Sequence, residues 1–430
     1  MSVSGVLQTA RGSLDCTVAV PGSKSVANRA LICAALAGQG AVVTNVPDGD
    51  DSTAMVHGLR EFGVDVDSSQ PGEFTFGSPL DLRSSRYVRI DAGLAGTTSR
   101  FLTALAALRD TPAVIDGGAA LRRRPMGDLH EALQRLGAHV NPLGETGHLP
   151  VEVSRGGLRG GEITVPGSVS SQFTTALLLV APYLRGGLVV TVEGERVSDS
   201  YLDMTATVMG DFGAHVVTDD DGAGRRFTVA ESAYVSRLYQ VEPDASSASY
   251  PLAMAAVCGG SVTIPHLTVS SVQGDAKFAD VLGSMGCTVE WGIDSVTLRR
   301  DLSRPLRGID IDMVDMSDLV PTLAVVALFA AEPTRIRGVG FIRRKESDRL
   351  GDLSSELKKC GARVAETDDG LVIEPGPLSG AHLATHDDHR LAMSFAVLAG
   401  RVSGVSVAEP GVVSKSWPAF WDVREAMLSV

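Results

Sequence analysis

At 430 residues, with 44% hydrophobic and 21% charged residues, the chain exceeds what one hydrophobic core supports and is too apolar for extensive disorder, so two or three domains are expected. A formal net charge of −13 opposes nucleic acid and anionic membrane as partners, since both require a basic face that replaces counterions. Cys16, Cys33, Cys258, Cys287 and Cys360 are scattered among mostly apolar neighbours without Cys-x-x-Cys spacing; they read as reduced packing residues, and neither metal nor cofactor is expected.

The opening MSVSGVLQTARGSLD lacks the apolar centre of a signal peptide, and no apolar run approaches the roughly 20 residues of a membrane helix. The expectation is a soluble, cytoplasmic protein. A first strand is predicted around LDCTVAV, from Leu14 to Val20, followed by a turn at PGSKS and a small-residue helix, RALICAALAG, from Arg29. That helix type then recurs as RFLTALAALR from Arg100, QFTTALLLVA from Gln172, YPLAMAAVCGG from Tyr250, PTLAVVALFAA from Pro321 and RLAMSFAVLAG from Arg390. All six are apolar nearly all round and should be buried. After most of them comes a strand of alternating or β-branched residues, such as AVVTNV, GLVVTV or GSVTIP.

A second, amphipathic helix ends each time in Gly-x-x-Val, at Gly63, Gly137, Gly213, Gly286 and Gly361, in steps of 74, 76, 73 and 75 residues. A 3.6-residue apolar stripe, a glycine able to take positive φ, then a β-branched residue predicts helix, C-cap and strand. The chain is therefore six copies of a unit of two helices plus short strands. The sixth copy stops after the helix WPAFWDVREAML, and the N-terminal strand is expected to stand in for its missing last strand. This groups copies one to three, residues 22–240, as one domain, and residues 1–21 with 241–430 as the other.

The polar residues gather just ahead of the buried helices, at Lys24, Ser25 and Arg29; Gly96, Thr97 and Arg100; Ser170, Ser171 and Gln172; Asp318; and Asp388, His389 and Arg390. Free N–H groups and a partial positive charge at these ends suit anions. Each motif also has a plain reading. PGSKS is not a P-loop and could be a surface turn with a solvated lysine. Arg122, Arg123 and Arg124 could be a solvated charge run rather than a fork for carboxylate or phosphate. RRKESDR, from Arg343 to Arg349, could satisfy itself through internal ion pairs, with Glu346 and Arg349 on one helix face, and DDHR could be only a charged cap.

In order along the chain, PGSKSxxNRA (21–30), AGTTSR (95–100), RRPMG (123–127), GSVSSQFxTALL (167–178), SDLVPTLAVVALFA (317–330), RRKESDRL (343–350), DDHRLAM (387–393) and Lys415 resemble the 5-enolpyruvylshikimate-3-phosphate synthases. The resemblance implies an α/β (α+β) fold of two similar domains, each three repeats around buried parallel helices in an inside-out α/β barrel. It also implies an active site in the interdomain cleft that closes on its ligands. It further implies transfer of the enolpyruvyl group of phosphoenolpyruvate to shikimate 3-phosphate, on the way to chorismate and aromatic amino acids. By matching position, shikimate 3-phosphate would meet Lys24, Ser25, Arg29, Ser170, Ser171, Gln172, Ser198, Tyr201, Asp318 and Lys345. Phosphoenolpyruvate would meet Lys24, Gly96, Arg124, Gln172, Arg349, Arg390 and Lys415. Asp318 would accept the proton of the attacking hydroxyl, Glu346 would protonate the enolpyruvyl carbon, and Lys24 would stabilise charge.

Three positions depart from the family: Ser198-Asp199-Ser200-Tyr201 replaces a Ser-Lys-Pro-Tyr stretch, and Phe341 and Leu94 each stand where asparagine is common. Two other readings stay open at this point. A UDP-N-acetylglucosamine enolpyruvyl transferase would share the fold but typically opens with Gly-Ala-Lys-Asn where this chain has Gly22 to Ser25, and a non-catalytic anion-binding repeat scaffold would need neither Asp318 nor Glu346. A monomer is expected because the repeats bury one another.

Overall fold

A computed structural model describes residues 5–168, 170–220, 222 and 224–429. The chain divides into two compact units, one of Gly22–Val241 and one of Met1–Pro21 with Glu242–Val430. Each unit is built on three inner helices that touch one another. In the first these are α1 (Lys24–Ala37), α2 (Gly96–Ala106) and α3 (Ser171–Val180); in the second, α4 (Ala245–Cys258), α5 (Val320–Ala327) and α6 (His389–Ala399). Leu31, Leu102, Leu177, Ala253, Leu323 and Phe395 are closed to solvent, and cutting any of the leucines to alanine would cost about 2–5 kcal/mol.

Outside the inner helices of the Gly22–Val241 unit stand three four-stranded sheets with one topology. Their strand orders are Leu238–Gln240, Val42–Thr44, Phe74–Phe76, Val66–Asp67; then Val88–Asp91, Ala113–Asp116, Val151–Ser154, His139–Pro142; then Gly161–Pro166, Leu188–Glu193, Gly224–Val229, Val216–Asp220. The first two strands of each run parallel and the remaining pairs antiparallel. The other unit repeats this twice, with Leu14–Thr17, Gly260–Pro265, Ser295–Arg300, Thr288–Trp291 and with Asp310–Asp312, Thr334–Arg337, Leu371–Glu374, Arg363–Glu366.

Its third sheet is reduced to His382–Leu383 beside Ser406–Val407, with one bridge from Val6. The N-terminal strand thus joins the sheet of the fourth copy, pairing Leu14 to Gly260 through Thr17 to Thr263. It takes the place beside Gly260–Pro265 that Leu238–Gln240, the last strand of the third copy, takes beside Val42–Thr44. The final segment forms the helix Phe420–Leu428, so a strand from the other end of the chain fills the edge of Gly260–Pro265.

The five repeat glycines carry φ between +82° and +108°, where a side chain would be strained. Each ends its outer helix and turns the chain back into a strand.

Candidate active site

The start of α1 is fixed by Ser23, whose hydroxyl accepts from the Val26 amide at 3.4 Å, as an N-cap serine does. Lys24 then projects its ammonium to Asp51, 3.0 Å away. One turn on, Arg29 is 1% exposed. Its guanidinium donates to Thr205 Oγ1 at 2.8 Å and to the backbone oxygens of Ser25 at 2.7 Å and Tyr201 at 3.3 Å. The Tyr201 and Phe101 rings lie 5.8 and 5.6 Å from it. Burial pulls Arg29 down to about 10, against the opposing influence of Tyr201.

A second centre forms where α2 and α3 begin. Gly96 is the first residue of α2, and a Cβ there would stand 2.6 Å from Nη1 of both Arg100 and Arg124. Only glycine lets the two guanidiniums lie across the helix start. Arg100 also donates to Gln172 Oε1 at 2.8 Å and to the Pro125 carbonyl at 3.3 Å, over the Phe173 ring at 5.2 Å. Gln172 is held in turn by Ser170, which caps α3 and accepts the Gln172 amide at 3.3 Å, with Ser171 the first helical residue. Nearby in sequence, Ser198 is buried with φ +60°. Arg122, by contrast, is committed with Arg89 to Asp116, at 2.8 and 2.6 Å, so one arginine of the triplet serves the strand Ala113–Asp116.

The Glu242–Val430 unit holds a denser network. Asp318, in the 3₁₀ turn before α5, accepts from Lys345 at 2.7 Å, Arg349 at 2.8 Å and Arg390 at 2.7 Å. Glu346 accepts from Arg349 at 2.7 Å and from Lys415 at 2.9 Å. Asp388 caps α6 through the Arg390 amide at 2.9 Å and grips Arg349 Nε at 2.6 Å. Four cations here face three carboxylates, so the network carries an excess positive charge before any ligand enters.

Burial alone would raise Asp318, but Arg390, Lys345 and Arg349 outweigh it and hold the carboxyl well below the usual carboxylate range. Lys345 loses more to burial and to Arg349 than Asp318 returns, so its ammonium is lowered. Arg349 goes the other way: burial is overcome by Asp388, Glu346 and Asp318, and its proton is held more tightly. Removing one member of such a buried set leaves its partners uncompensated, at about 3–5 kcal/mol.

The predicted residues thus gather within each unit: Lys24, Ser25 and Arg29 at α1, Tyr201 on Arg29, and Gly96, Arg124 and Gln172 about Arg100 in one. Asp318, Lys345, Glu346, Arg349, Arg390 and Lys415 gather in the other. Glu346 and Arg349 meet across a turn that follows the 3₁₀ segment Gly340–Arg344 rather than along a helix face. Arg343 leaves the network for Asp348 and Glu366, at 3.1 and 2.9 Å. Phe341, at a departure position, offers its ring to Lys345 Nζ at 5.6 Å. Sequence reasoning left Asp51 out of the site, and named Arg100 and Asp388 only as helix entries. The spacing of four between Gly96 and Arg100 places the arginine one turn on along the same helix face. Among the described residues no group of three His, Cys, Asp or Glu side chains is placed to hold a metal ion, and no helix is long and apolar enough to cross a membrane.

A sequence profile of the family described as EPSP synthase (3-phosphoshikimate 1-carboxyvinyltransferase) matches residues 8–423. The 3-phosphoshikimate 1-carboxyvinyltransferase of Methanoculleus marisnigri is 43% identical over 412 residues, 96% of either chain. That of Nostoc punctiforme is 40% identical over 410 residues, 95% of either chain. An EPSP synthase structure from Acinetobacter baumannii superposes with a TM-score of 0.81 at 26% identity, over 98% of this chain and 97% of that one. The enolpyruvyl transferase NikO from Streptomyces tendae shares the fold, with a TM-score of 0.75 at 19% identity over 99% and 98% of the two chains.

Proposed function

The chain belongs to the EPSP synthase (3-phosphoshikimate 1-carboxyvinyltransferase) family, and on that premise we propose that it transfers the enolpyruvyl group of phosphoenolpyruvate to the 5-hydroxyl of shikimate 3-phosphate, releasing phosphate. The observation that carries this reading is the network around Asp318 and Glu346. Two carboxylates suited to proton transfer sit among four cations, so a carboxylate- and phosphate-bearing substrate gains contacts by competing for those cations.

In the proposed reaction the 5-hydroxyl oxygen bonds to C2 of phosphoenolpyruvate and its proton passes to Asp318, while a proton from Glu346 reaches C3. The tetrahedral adduct then expels phosphate as its C2–O bond to phosphate breaks, and a C3 proton returns to the Glu346 carboxylate as the double bond is restored. Lys415, Arg390, Arg349, Arg124, Gly96 and Gln172 would take the enolpyruvyl donor. Ser25, Arg29, Ser170, Ser171, Gln172, Ser198, Tyr201, Asp318 and Lys345 would take shikimate 3-phosphate, and Lys24 would serve both. Arg349 and Arg390 exchange carboxylate partners for substrate oxygens when ligand binds. That exchange loosens Arg349 and Arg390 from Asp318, and Arg349 from Glu346, and leaves both carboxylates free to take part in proton transfer.

Cytoplasmic action as a monomer is part of the proposal, and the net charge of −13 supports the further reading that neither nucleic acid nor anionic membrane is a partner. The test is phosphate release from phosphoenolpyruvate with shikimate 3-phosphate. Turnover requiring both substrates is expected; turnover with UDP-N-acetylglucosamine in place of shikimate 3-phosphate would transfer the assignment to the sister enzyme.

A further inference from the structure

Just ahead of α6 the chain makes a reverse turn over Thr385–Asp388, closed by the Asp388 amide donating to the Thr385 carbonyl at 2.9 Å. Both central residues are left-handed, His386 at φ +52° and Asp387 at φ +58°. Glycine, asparagine and aspartate fill such a pair readily and histidine does so less often, so something outside the turn must hold it. The next residues are Asp388, which grips Arg349, and Arg390, which grips Asp318.

The hold comes from Glu356, on the helix Gly351–Lys359 and 2% exposed. One carboxylate oxygen accepts from His386 Nε2 at 2.9 Å and the other from the Ala384 amide at 2.9 Å. Lys359 Nζ reaches both oxygens, at 2.8 and 2.6 Å, and Asp352 Oδ1 lies 3.5 Å from His386 Nδ1. Burial would raise Glu356, but Lys359, His386 and the Ala384 amide overcome it and keep the carboxylate ionised, so His386 Nε2 is the donor. These bonds fasten the chain on both sides of Thr385, where the turn begins.

We propose that Glu356 is a positioning residue for the enolpyruvyl-donor site: by tying down Ala384 and His386 it keeps the 385–388 turn left-handed, and so keeps Arg349 and Arg390 aligned on Asp318. Lys359 neutralises the buried charge through its bonds to Glu356. The inference rests on the proposed enolpyruvyl transfer.

Steady-state phosphate release with phosphoenolpyruvate and shikimate 3-phosphate tests it, beginning with the wild type; no turnover there defeats the functional reading instead. Given an active wild type, Glu356→Gln is expected to raise KM for phosphoenolpyruvate by about tenfold to fiftyfold, with KM for shikimate 3-phosphate within about threefold. Adding Asp387→Gly, which makes the left-handed conformation free of strain, is expected to recover most of that loss. An unchanged KM for phosphoenolpyruvate, an equal rise for both substrates, or no recovery with glycine would each overturn the proposal. If Glu356→Gln does not fold, His386→Ala replaces it: a selective rise of about threefold to tenfold supports the proposal, and an unchanged KM overturns it.

Discussion

Replacing Gly96 with alanine perturbs the cation pair of the Gly22–Val241 unit through a single methyl group. The added carbon would sit 2.6 Å from Nη1 of Arg100 and of Arg124, against an ordinary contact of 3.4 Å or more, so each guanidinium must withdraw by about 0.8 Å. A shift of that size stretches the 2.8 Å bond from Arg100 to Gln172 beyond hydrogen-bonding range if it runs along the bond. Arg124 moves by a similar distance. One charge-assisted contact contributes about 1.5–3 kcal/mol, equivalent to roughly tenfold to a hundredfold in affinity. Alanine suits a helical position better than glycine, so folding should survive. The expected result in steady-state kinetics is a KM for phosphoenolpyruvate raised by about tenfold to a hundredfold, with KM for shikimate 3-phosphate within about threefold and Tm within a few degrees. A KM for phosphoenolpyruvate within twofold of wild type would refute the assignment of Arg124 and Gly96 to the donor.

Asp318→Asn keeps the shape of the side chain but removes the charge shared by Lys345, Arg349 and Arg390; kcat should fall by roughly 10² to 10⁴, and a loss under tenfold would remove Asp318 from proton transfer. Asp275, bonded to Ser246, is pushed up to about 7 by burial first and then by Asp318. An acid whose folded value is raised favours folding below its unfolded value, and that contribution is lost as pH rises towards the folded one. Asp275→Asn, which mimics the protonated acid, should therefore raise Tm at pH 8 by roughly 2 °C or more and leave it little changed at pH 4; equal shifts at both would contradict the assignment.

Much of the architecture is legible because it repeats. The five Gly-x-x-Val glycines are evenly spaced in the sequence and all adopt positive φ, since each copy must turn from helix to strand at the same place. The inner helices declare themselves by having no polar face. What the sequence hides is pairing over long distances. Nothing local tells that Leu14–Thr17 will lie beside Gly260–Pro265, or that Lys24 will find Asp51. Within RRKESDR, Lys345 and Arg349 turn to Asp318 while Arg343 turns to Asp348 and Glu366. A helical reading of that segment cannot sort them, because the 3₁₀ turn ends at Arg344 and the chain then leaves helical geometry. Glu356 is equally silent: on an amphipathic helix it reads as an exposed partner of Lys359, and only the fold brings Ala384 and His386 to it.

Phosphoenolpyruvate carrying ¹⁸O in the oxygen that bridges carbon and phosphorus, incubated with shikimate 3-phosphate and the wild-type protein, reports which bond breaks. Addition and elimination at C2 break the carbon–oxygen bond, so ¹⁸O is expected in the released phosphate, with one enol ether product formed for each phosphate. Unlabelled phosphate appearing with labelled pyruvate, while shikimate 3-phosphate remains unconsumed, would contradict enolpyruvyl transfer.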